Sequence, residues 1–315
     1  MHDFTVPEYS VWPVADLVLP ESLPACIRDQ VSPEEVASST RYGQIQPVLV
    51  AESAHGRLQV LSGFSTFLVL KKAGFSRIAC RILPQAMPPA PAFALRILHE
   101  RKDCEKSPVL QAWLLKEAQA QLSIQDILSL LPLMGLKPQP HVIEERIRLL
   151  LLDDALLAAL HHQELQIKNL VPLLRLPQEE QQGLLELIRR YRLGGSKQQK
   201  LVEIAVDLHL REGRKLADIL AEWRQSDPPR DNLPQESQSL LSFLHVLANP
   251  RRAQAEAQFA EHLRHLQPPA QVNVAHTPAF EDEELKVQLS YSSWNALQVQ
   301  WPQILKALET GNQDL

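Results

Sequence analysis

Short apolar runs alternate with polar loops between residues 44 and 83. The runs are rich in β-branched residues and are bounded by turn residues, which is the pattern of short strands. A helix-forming stretch follows Gly63, and Gly74 stands where a helix C-cap belongs. In chain order the predicted elements are a strand at Val48–Val50, a strand at Leu58–Leu61, a turn at Gly63, a helix at Thr66–Lys72 and a strand at 78–83.

Apolar positions take a helical period from residue 94 onward. A serine–proline pair at 107–108 can start one helix, as the pair at 32–33 can earlier in the chain, and Ser123 is placed as the N-cap of the next. Gly135 then interrupts the pattern before a further amphipathic helix. Two helices joined by a glycine-containing turn, here at about 123–152, are typical of a helix-turn-helix, although most all-helical proteins contain such a pair.

The period changes again near the end of the chain. Alternating apolar residues from Leu285 to Tyr291 predict a half-buried strand, and a C-terminal helix follows that Pro302 is expected to split into two pieces. So small a β-β-α unit cannot bury much core alone, so we expect it either to dock on the preceding helices or to pair with a second chain. Its candidate interface is the apolar face formed by Trp294, Trp301, Ile304 and Leu308.

These patterns together predict an α+β fold that is predominantly helical. We place a small mixed α/β N-terminal domain at 1–90 and an all-helical domain with the helix-turn-helix at 94–225. A C-terminal helical and β-β-α region, a possible dimerisation module, follows at 232–315.

Charge limits the classes of partner. The net charge is −5, which argues against an indiscriminate nucleic-acid binder. Residues 94–225 are dense in charge and nearly balanced, whereas the acidic excess lies in the tail, so any DNA contact should come from the middle of the chain. The sequence shows neither a signal peptide nor a membrane span, and its three cysteines form no disulfide framework, so we expect a cytoplasmic protein.

No motif of a common enzyme class is present. The sequence contains no HExxH, no GxSxG and no Walker-type glycine loop, and only 10 glycines in all, so we expect no catalytic residues. Two histidine pairs, at 161–162 and at 262 and 265, lack a cysteine or third ligand nearby. Such pairs are more typical of a solvated surface than of a metal site, so no bound metal is predicted.

The unit at 44–83 resembles the N-terminal domain of ParB/RepB partition proteins, which also has the fold of sulfiredoxins. The resemblance lies in the Gly-Gln-Ile-Gln-Pro segment at 43–47, in Gly63-Phe64 of the turn, and in Lys-Lys-Ala-Gly at 71–74. The family's Gly-Glu-Arg-Arg turn has diverged here, because Ser65 and Thr66 stand in the places of its two arginines. In order and spacing the resemblance extends over about residues 10–195.

The resemblance implies that the helical domain binds double-stranded DNA, with a homodimer, a partition ATPase as a further partner and association with the nucleoid. A recognition helix places its N-terminal residues at base edges, where Gln pairs with adenine and Lys or Arg with guanine or phosphate. The candidate DNA-binding residues are Lys137, Gln139, His141, Glu145, Arg146, Arg148 and Lys168.

The resemblance also implies a site for CTP and Mg²⁺ at the glycine turn. We expect only a vestige of it, formed by Gln46, Gly63, Phe64, Ser65 and Thr66. Each lost charge-assisted contact costs about 1.5–3 kcal/mol, so nucleotide binding is predicted to be weak or lost.

Other residues bear on the same site. His99 and Glu100 stand where the family has a Glu-Asn pair, and they are a poor ligand set for Mg²⁺. Lys71, Lys72 and Arg101 could compensate for the missing arginines if they face the turn.

The sequence alone is compatible with three functions. The first is a ParB-like, sequence-specific DNA-binding protein of a chromosome or plasmid partition system or a related mobile element, without efficient CTP hydrolysis. The second is a scaffold that kept the fold and lost DNA and nucleotide binding. The third is a nucleotide-dependent enzyme that uses the ParB-like pocket.

Overall fold

A computed structural model describes residues 8–29, 31–52, 57–166, 170–226, 232–266, 268, 272–276 and 285–310. The chain divides into two compact units, Met1–Asp218 and Ile219–Leu315. Each unit is described by itself below.

A five-stranded mixed sheet opens the first unit. Its strands are β1 (Glu8–Pro13), β2 (Leu17–Val18), β3 (Val48–Glu52), β4 (Leu58–Ser62) and β5 (Arg77–Ile82). They lie in the order β1-β5-β3-β4-β2, with β3 parallel to β5 and antiparallel to β4. The three strands predicted between residues 48 and 83 are therefore confirmed, and the N-terminal segment adds a strand at each edge.

Helices form the rest of the first unit. They are α1 (Ala25–Arg28), α2 (Pro33–Tyr42), α3 (Phe64–Lys72), α4 (Pro89–His99), α5 (Arg101–Lys106), α6 (Pro108–Gln119), α7 (Ile124–Leu130), α8 (Pro140–Arg148), α9 (Asp154–His161), α10 (Gln178–Tyr191) and α11 (Gly195–Glu212), while α12 (Leu216–Ser226) crosses the boundary between the units.

Local sequence fixes several of the helix starts. The hydroxyl groups of Ser32, Ser107 and Ser123 each accept a hydrogen bond from a backbone N–H of the first turn that follows. Pro follows Ser at the first two of these starts, where its missing N–H costs no helical bond. These caps were predicted from the sequence and are confirmed.

Helix α6 lies in the core of the first unit. Trp113, Leu114 and Leu115 are at most 2% exposed, and α6 packs against α5, α7, α8 and α9. A helix that is apolar nearly all round is one that neighbours cover on several sides. The sheet has its own core around Val48, Val60 and Cys80, which are fully buried.

The second unit holds the remaining described elements. They are α13 (Leu233–Ala248), α14 (Pro250–Leu266), β6 (Val272–His276), β7 (Leu285–Leu289) and α15 (Trp294–Thr310). The predicted strand pair is present, with β6 and β7 antiparallel, but β7 is exposed at four of its five residues and is not half-buried as the alternation predicted. The predicted division of the last helix is wrong, because α15 continues through Pro302. A proline inside a helix removes one backbone hydrogen bond, which long flanking turns can tolerate.

The fold class is thus α+β and predominantly helical, as the sequence predicts.

Candidate nucleic-acid interface and glycine turn

Helices α7 and α8 are joined by a connector whose conformation is well defined. It consists of a 3-10 turn at Leu131–Met134, Gly135 with φ of +74°, and an irregular stretch to Gln139, whose N–H donates to the Lys137 carbonyl at 2.8 Å. The left-handed conformation at Gly135 is one that glycine adopts without steric cost. The connector is longer than the three to four residues of a compact helix-turn-helix.

Two contacts with α6 hold this connector and α8. The side-chain amide of Gln111 donates to the backbone carbonyl of Met134 at 3.0 Å, and Gln111 itself is buried. Ile143 on the apolar face of α8 is also fully buried, and α8 packs on α6. The opposite face of α8 is consequently presented in a fixed orientation.

Most of the predicted DNA-binding side chains lie on that opposite face or in the connector that precedes α8. The exposed ones are Lys137, Gln139, His141, Glu145 and Arg148. Arg146 is only half-buried, and burial lowers the pKa of its guanidinium. Lys168 lies outside the described residues.

The charge on this face is close to balanced. Lys137 and Arg148 are offset by Glu144 and Glu145, all four of them exposed. Attraction to phosphate grows with the number of cations that contact it, so this face offers little non-specific affinity by itself. Its chemistry suits a limited number of directed hydrogen bonds instead.

The glycine turn links β4 to α3. Gly63 has φ of +84°, and a Cβ there would lie 3.3 Å from His99 Cε1 and 3.4 Å from Val48 Cα. Both its conformation and the close approach of its neighbours therefore require glycine. The backbone N–H groups of Gly63 and Phe64 lie at the N-terminus of α3, where the helix itself supplies no acceptor for them.

A side chain from the α4–α5 junction accepts both of these hydrogen bonds. Glu100 Oε1 lies 2.5 Å from Gly63 N and 2.9 Å from Phe64 N. Burial raises the pKa of Glu100 to about 7, and Asp103 raises it too, whereas the two N–H donors and Arg96 lower it. By resemblance, Glu100 was considered only as a candidate metal ligand, and its role as a hydrogen-bond acceptor was missed.

The neighbouring side chains are also fully engaged. His99 contacts Ser62 Oγ through Nδ1 at 2.9 Å and the Pro47 carbonyl through Nε2 at 3.0 Å. Burial lowers the pKa of His99, so the neutral ring with its proton on Nε2 satisfies both contacts. Arg96 is buried and stacks its guanidinium over the Phe93 ring.

A cleft of about 530 Å³ lies beside the turn. Four acidic side chains line it, those of Asp29, Glu35, Glu100 and Asp103, and Lys106 is the cation among its described lining residues. A cleft lined by this excess of carboxyl groups repels a polyanion.

The other residues of the predicted turn are dispersed. Phe64 is buried with its ring edge-on to Trp113 at 5.4 Å, Ser65 and Gln46 are exposed, and Thr66 is half-buried. Ser65 lines the cleft, whereas Gln46 and Thr66 do not.

The possible compensating cations do not reach the turn. Lys71 and Lys72 are exposed in the last turn of α3, about 10 Å along the helix axis from its start. Arg101 is paired with Glu105 at 2.9 Å.

The residues at the turn therefore do not fit a triphosphate with its magnesium ion. The donors that would hold a phosphate already bind a carboxylate, the cleft is acidic, and the two arginines of the family motif are absent. Among the described residues, no group of three or more His, Cys, Asp or Glu side chains is placed to hold a metal ion.

Two further features limit other chemistry. Cys26, Cys80 and Cys104 are buried free thiols, and burial raises their pKa values to about 11, 11 and 12, so they remain protonated at neutral pH. No helix in the described part of the chain combines the length and apolar character needed to cross a membrane.

Comparison with known proteins gave matches among solved structures. No family model matches the chain, and no curated protein matches it. One similar structure is the C-terminally truncated chromosome-partitioning protein ParB from Caulobacter crescentus complexed to the centromeric parS site. It is 16% identical, and the match covers 62% of this chain and 98% of that chain with a TM-score of 0.32.

Two further structures have the same family name. The truncated Caulobacter crescentus ParB complexed with CTP-gamma-S is 17% identical, with 58% of this chain and 99% of that chain covered and a TM-score of 0.25. A Pnob8-like ParB-N domain is 12% identical, with 82% and 99% covered and a TM-score of 0.32. The chain is thus similar to ParB structures, the family that its sequence resembles. At these identities and TM-scores, the likeness carries no argument about what the chain binds.

Proposed function

We propose that the chain is a ParB-like protein that binds double-stranded DNA through the exposed face of α8, without the help of a nucleotide. The observation that supports this most directly is the exposure of the polar side chains on that face and in the connector before it. Lys137, Gln139, His141 and Arg148 are exposed, and no other described residue forms a side-chain hydrogen bond or ion pair with them. His141 and Arg148 lie on α8, which is anchored on α6 through Ile143. Lys137 and Gln139 lie in the connector, which α6 holds through Gln111. Polar groups held rigidly and left free are suited to base recognition.

The biological role follows from the family resemblance. It is segregation of a chromosome or plasmid, or maintenance of a related mobile element, in association with the nucleoid and with a partition ATPase as partner. No enzymatic step is part of this proposal, because the glycine turn lacks the arginines that the family motif would supply.

The test is a binding titration against fragments of the host genome, measured by fluorescence anisotropy at several salt concentrations. The variant Lys137→Ala/Gln139→Ala/Arg148→Ala should bind a selected fragment at least about 100-fold more weakly, because each base-directed contact contributes about 1–3 kcal/mol. It should also lose its preference among fragments.

A matched control is available on another surface of the first unit. Lys71→Ala/Lys72→Ala/Gln119→Ala removes the same two charges and one amide from exposed positions. It should keep the affinity and the preference. If both triple variants bind equally well, α8 is not the recognition helix.

A scaffold without DNA binding is the second candidate, and one observation favours it. The exposed charges of α8 are balanced and the whole chain carries a net charge of −5. If the unchanged protein shows no fragment preference and no salt-dependent binding, this second candidate replaces the first.

A further inference from the structure

We propose that Glu100 is a built-in substitute for phosphate. Its carboxyl group occupies the nest, the concavity formed by the backbone N–H groups of Gly63 and Phe64 at the turn. In the family that the chain resembles, a nucleotide phosphate takes this place. Here a side chain of the same protein already fills it. The proposal goes beyond DNA binding and does not depend on it.

The nest is a helix N-terminus of the kind that binds anions. Helix α3 has nine residues, and its first N–H groups and its dipole both favour negative charge at this end. The N–H groups of Gly63 and Phe64 converge on a single oxygen, Glu100 Oε1, as two donors converge on a phosphate oxygen.

The acceptor is held there as part of the fold. Glu100 is only 8% exposed, and it stands at the junction where α4 ends and α5 begins. Arg96, one turn earlier on α4, is buried near it and adds an attraction to its carboxylate. A competing anion must therefore displace a buried side chain that is covalently attached and already in place.

The surroundings strengthen the exclusion. The cleft beside the two N–H groups is also lined by the carboxyl groups of Asp29, Glu35 and Asp103, which repel an entering anion. Glu100 also ties the start of α3 to a position 37 residues later in the chain. This contact holds the turn in the conformation described above.

The experiment compares the unchanged protein with Glu100→Ala, which opens the nest, using inorganic pyrophosphate as the probe. In the variant, NMR signals of the Gly63 and Phe64 amides should shift saturably. If the dissociation constant is about 1 mM, about 10 mM pyrophosphate should raise its Tm by about 3–5 °C by mass action. Neither effect is expected in the unchanged protein.

A matched variant separates the nest from the general charge of the cleft. Asp103→Asn also removes one carboxylate that lines the cleft, but Asp103 makes no hydrogen bond to the turn. It should behave like the unchanged protein. Equal pyrophosphate effects in Asp103→Asn and Glu100→Ala would show that only charge matters and would overturn the proposal.

Loss of folding does not remove the test. Should Glu100→Ala unfold, pyrophosphate is expected to restore its folded signals, since an anion that binds only the folded state stabilises it. Glu100→Ser, which also leaves the nest open, provides a second variant. The proposal is overturned if pyrophosphate neither shifts the two amides nor stabilises either variant, or if it binds the nest of the unchanged protein.

Discussion

At the residue scale, Gly63 carries two separate constraints, and they can be measured apart. Gly63→Ala should destabilise the first unit by about 2–4 kcal/mol, because a side chain at φ +84° is strained and its Cβ is crowded by Val48 and His99. Urea unfolding followed by circular dichroism measures the change.

Gly74 is the control for that substitution. It has φ of +82°, but a Cβ there would meet no atom within 4 Å. Gly74→Ala should therefore show only the conformational cost, about 1–2 kcal/mol. If the two substitutions destabilise the protein equally, the crowding at Gly63 does not contribute to the change in the free energy of unfolding.

The raised pKa of Glu100 predicts how the free energy of unfolding depends on pH. Its pKa is raised by burial from 4.5 to about 7, so the folded protein binds this proton more tightly than the unfolded chain does. The stabilisation from Glu100 is then fully present below about pH 4.5 and is lost as the pH rises through about 7. The difference between the two pKa values corresponds to about 3 kcal/mol.

Glu100→Gln isolates this effect, because its amide oxygen can accept the same two hydrogen bonds and does not titrate. The variant should match the unchanged protein near pH 4.5 and exceed its free energy of unfolding by up to about 3 kcal/mol near pH 8. His99 and His161 have lowered pKa values, so they reduce stability as the pH falls below about 6.5 in both proteins and cancel in the difference. If the free energies of unfolding of the two proteins differ by the same amount at every pH between about 4.5 and 8, the prediction is wrong.

At the element scale, what the sequence could predict was local. The caps at Ser32, Ser107 and Ser123, the strands at Val48–Glu52 and Leu58–Ser62, and the turn at Gly63 all depend on residues a few positions apart. Their signals are periodicity and side-chain chemistry, which act within one or two turns of chain.

The contacts that define the candidate sites are not local. Glu100 meets the Gly63 turn across 37 positions, and Gln111 meets the α7–α8 connector across 23. Nothing in the pattern near Glu100 marks it as an acceptor for those N–H groups, because that role arises only when α4 packs beside β4. The continuity of α15 through Pro302 was missed for a related reason, since one lost hydrogen bond is outweighed by the turns on either side.

At the scale of the whole molecule, the second unit leaves apolar side chains uncovered in the described part of the chain. They lie on β7 and α15 and are Leu285, Val287, Trp294, Val299, Trp301 and Leu305. The side chains of Ile304 and Leu308, which the sequence also assigned to this face, lie outside the described residues. On α15, Trp294, Trp301 and Leu305 fall on one side of the helix, and exposed apolar surface of this kind is typical of an interface between chains.

We expect a second copy of the chain to cover this face. A pair of strands with one helix cannot bury its apolar side chains alone. A two-fold dimer is the commonest way in which identical surfaces pair. The variant Trp294→Ala/Trp301→Ala should change a dimer into a monomer in sedimentation equilibrium at about 10 μM, because interface tryptophans each contribute about 2 kcal/mol or more. Its circular dichroism should stay unchanged, since both side chains are exposed.

The control removes two comparable aromatic side chains from the first unit. Tyr9 and Tyr42 are 64% and 66% exposed, against 71% and 45% for Trp294 and Trp301. Tyr9→Ala/Tyr42→Ala should leave the dimer intact, because the loss of exposed aromatic surface by itself does not alter association. A monomeric unchanged protein would favour docking of this face within one chain. A dimer that survives the double tryptophan substitution would assign the contact to another surface.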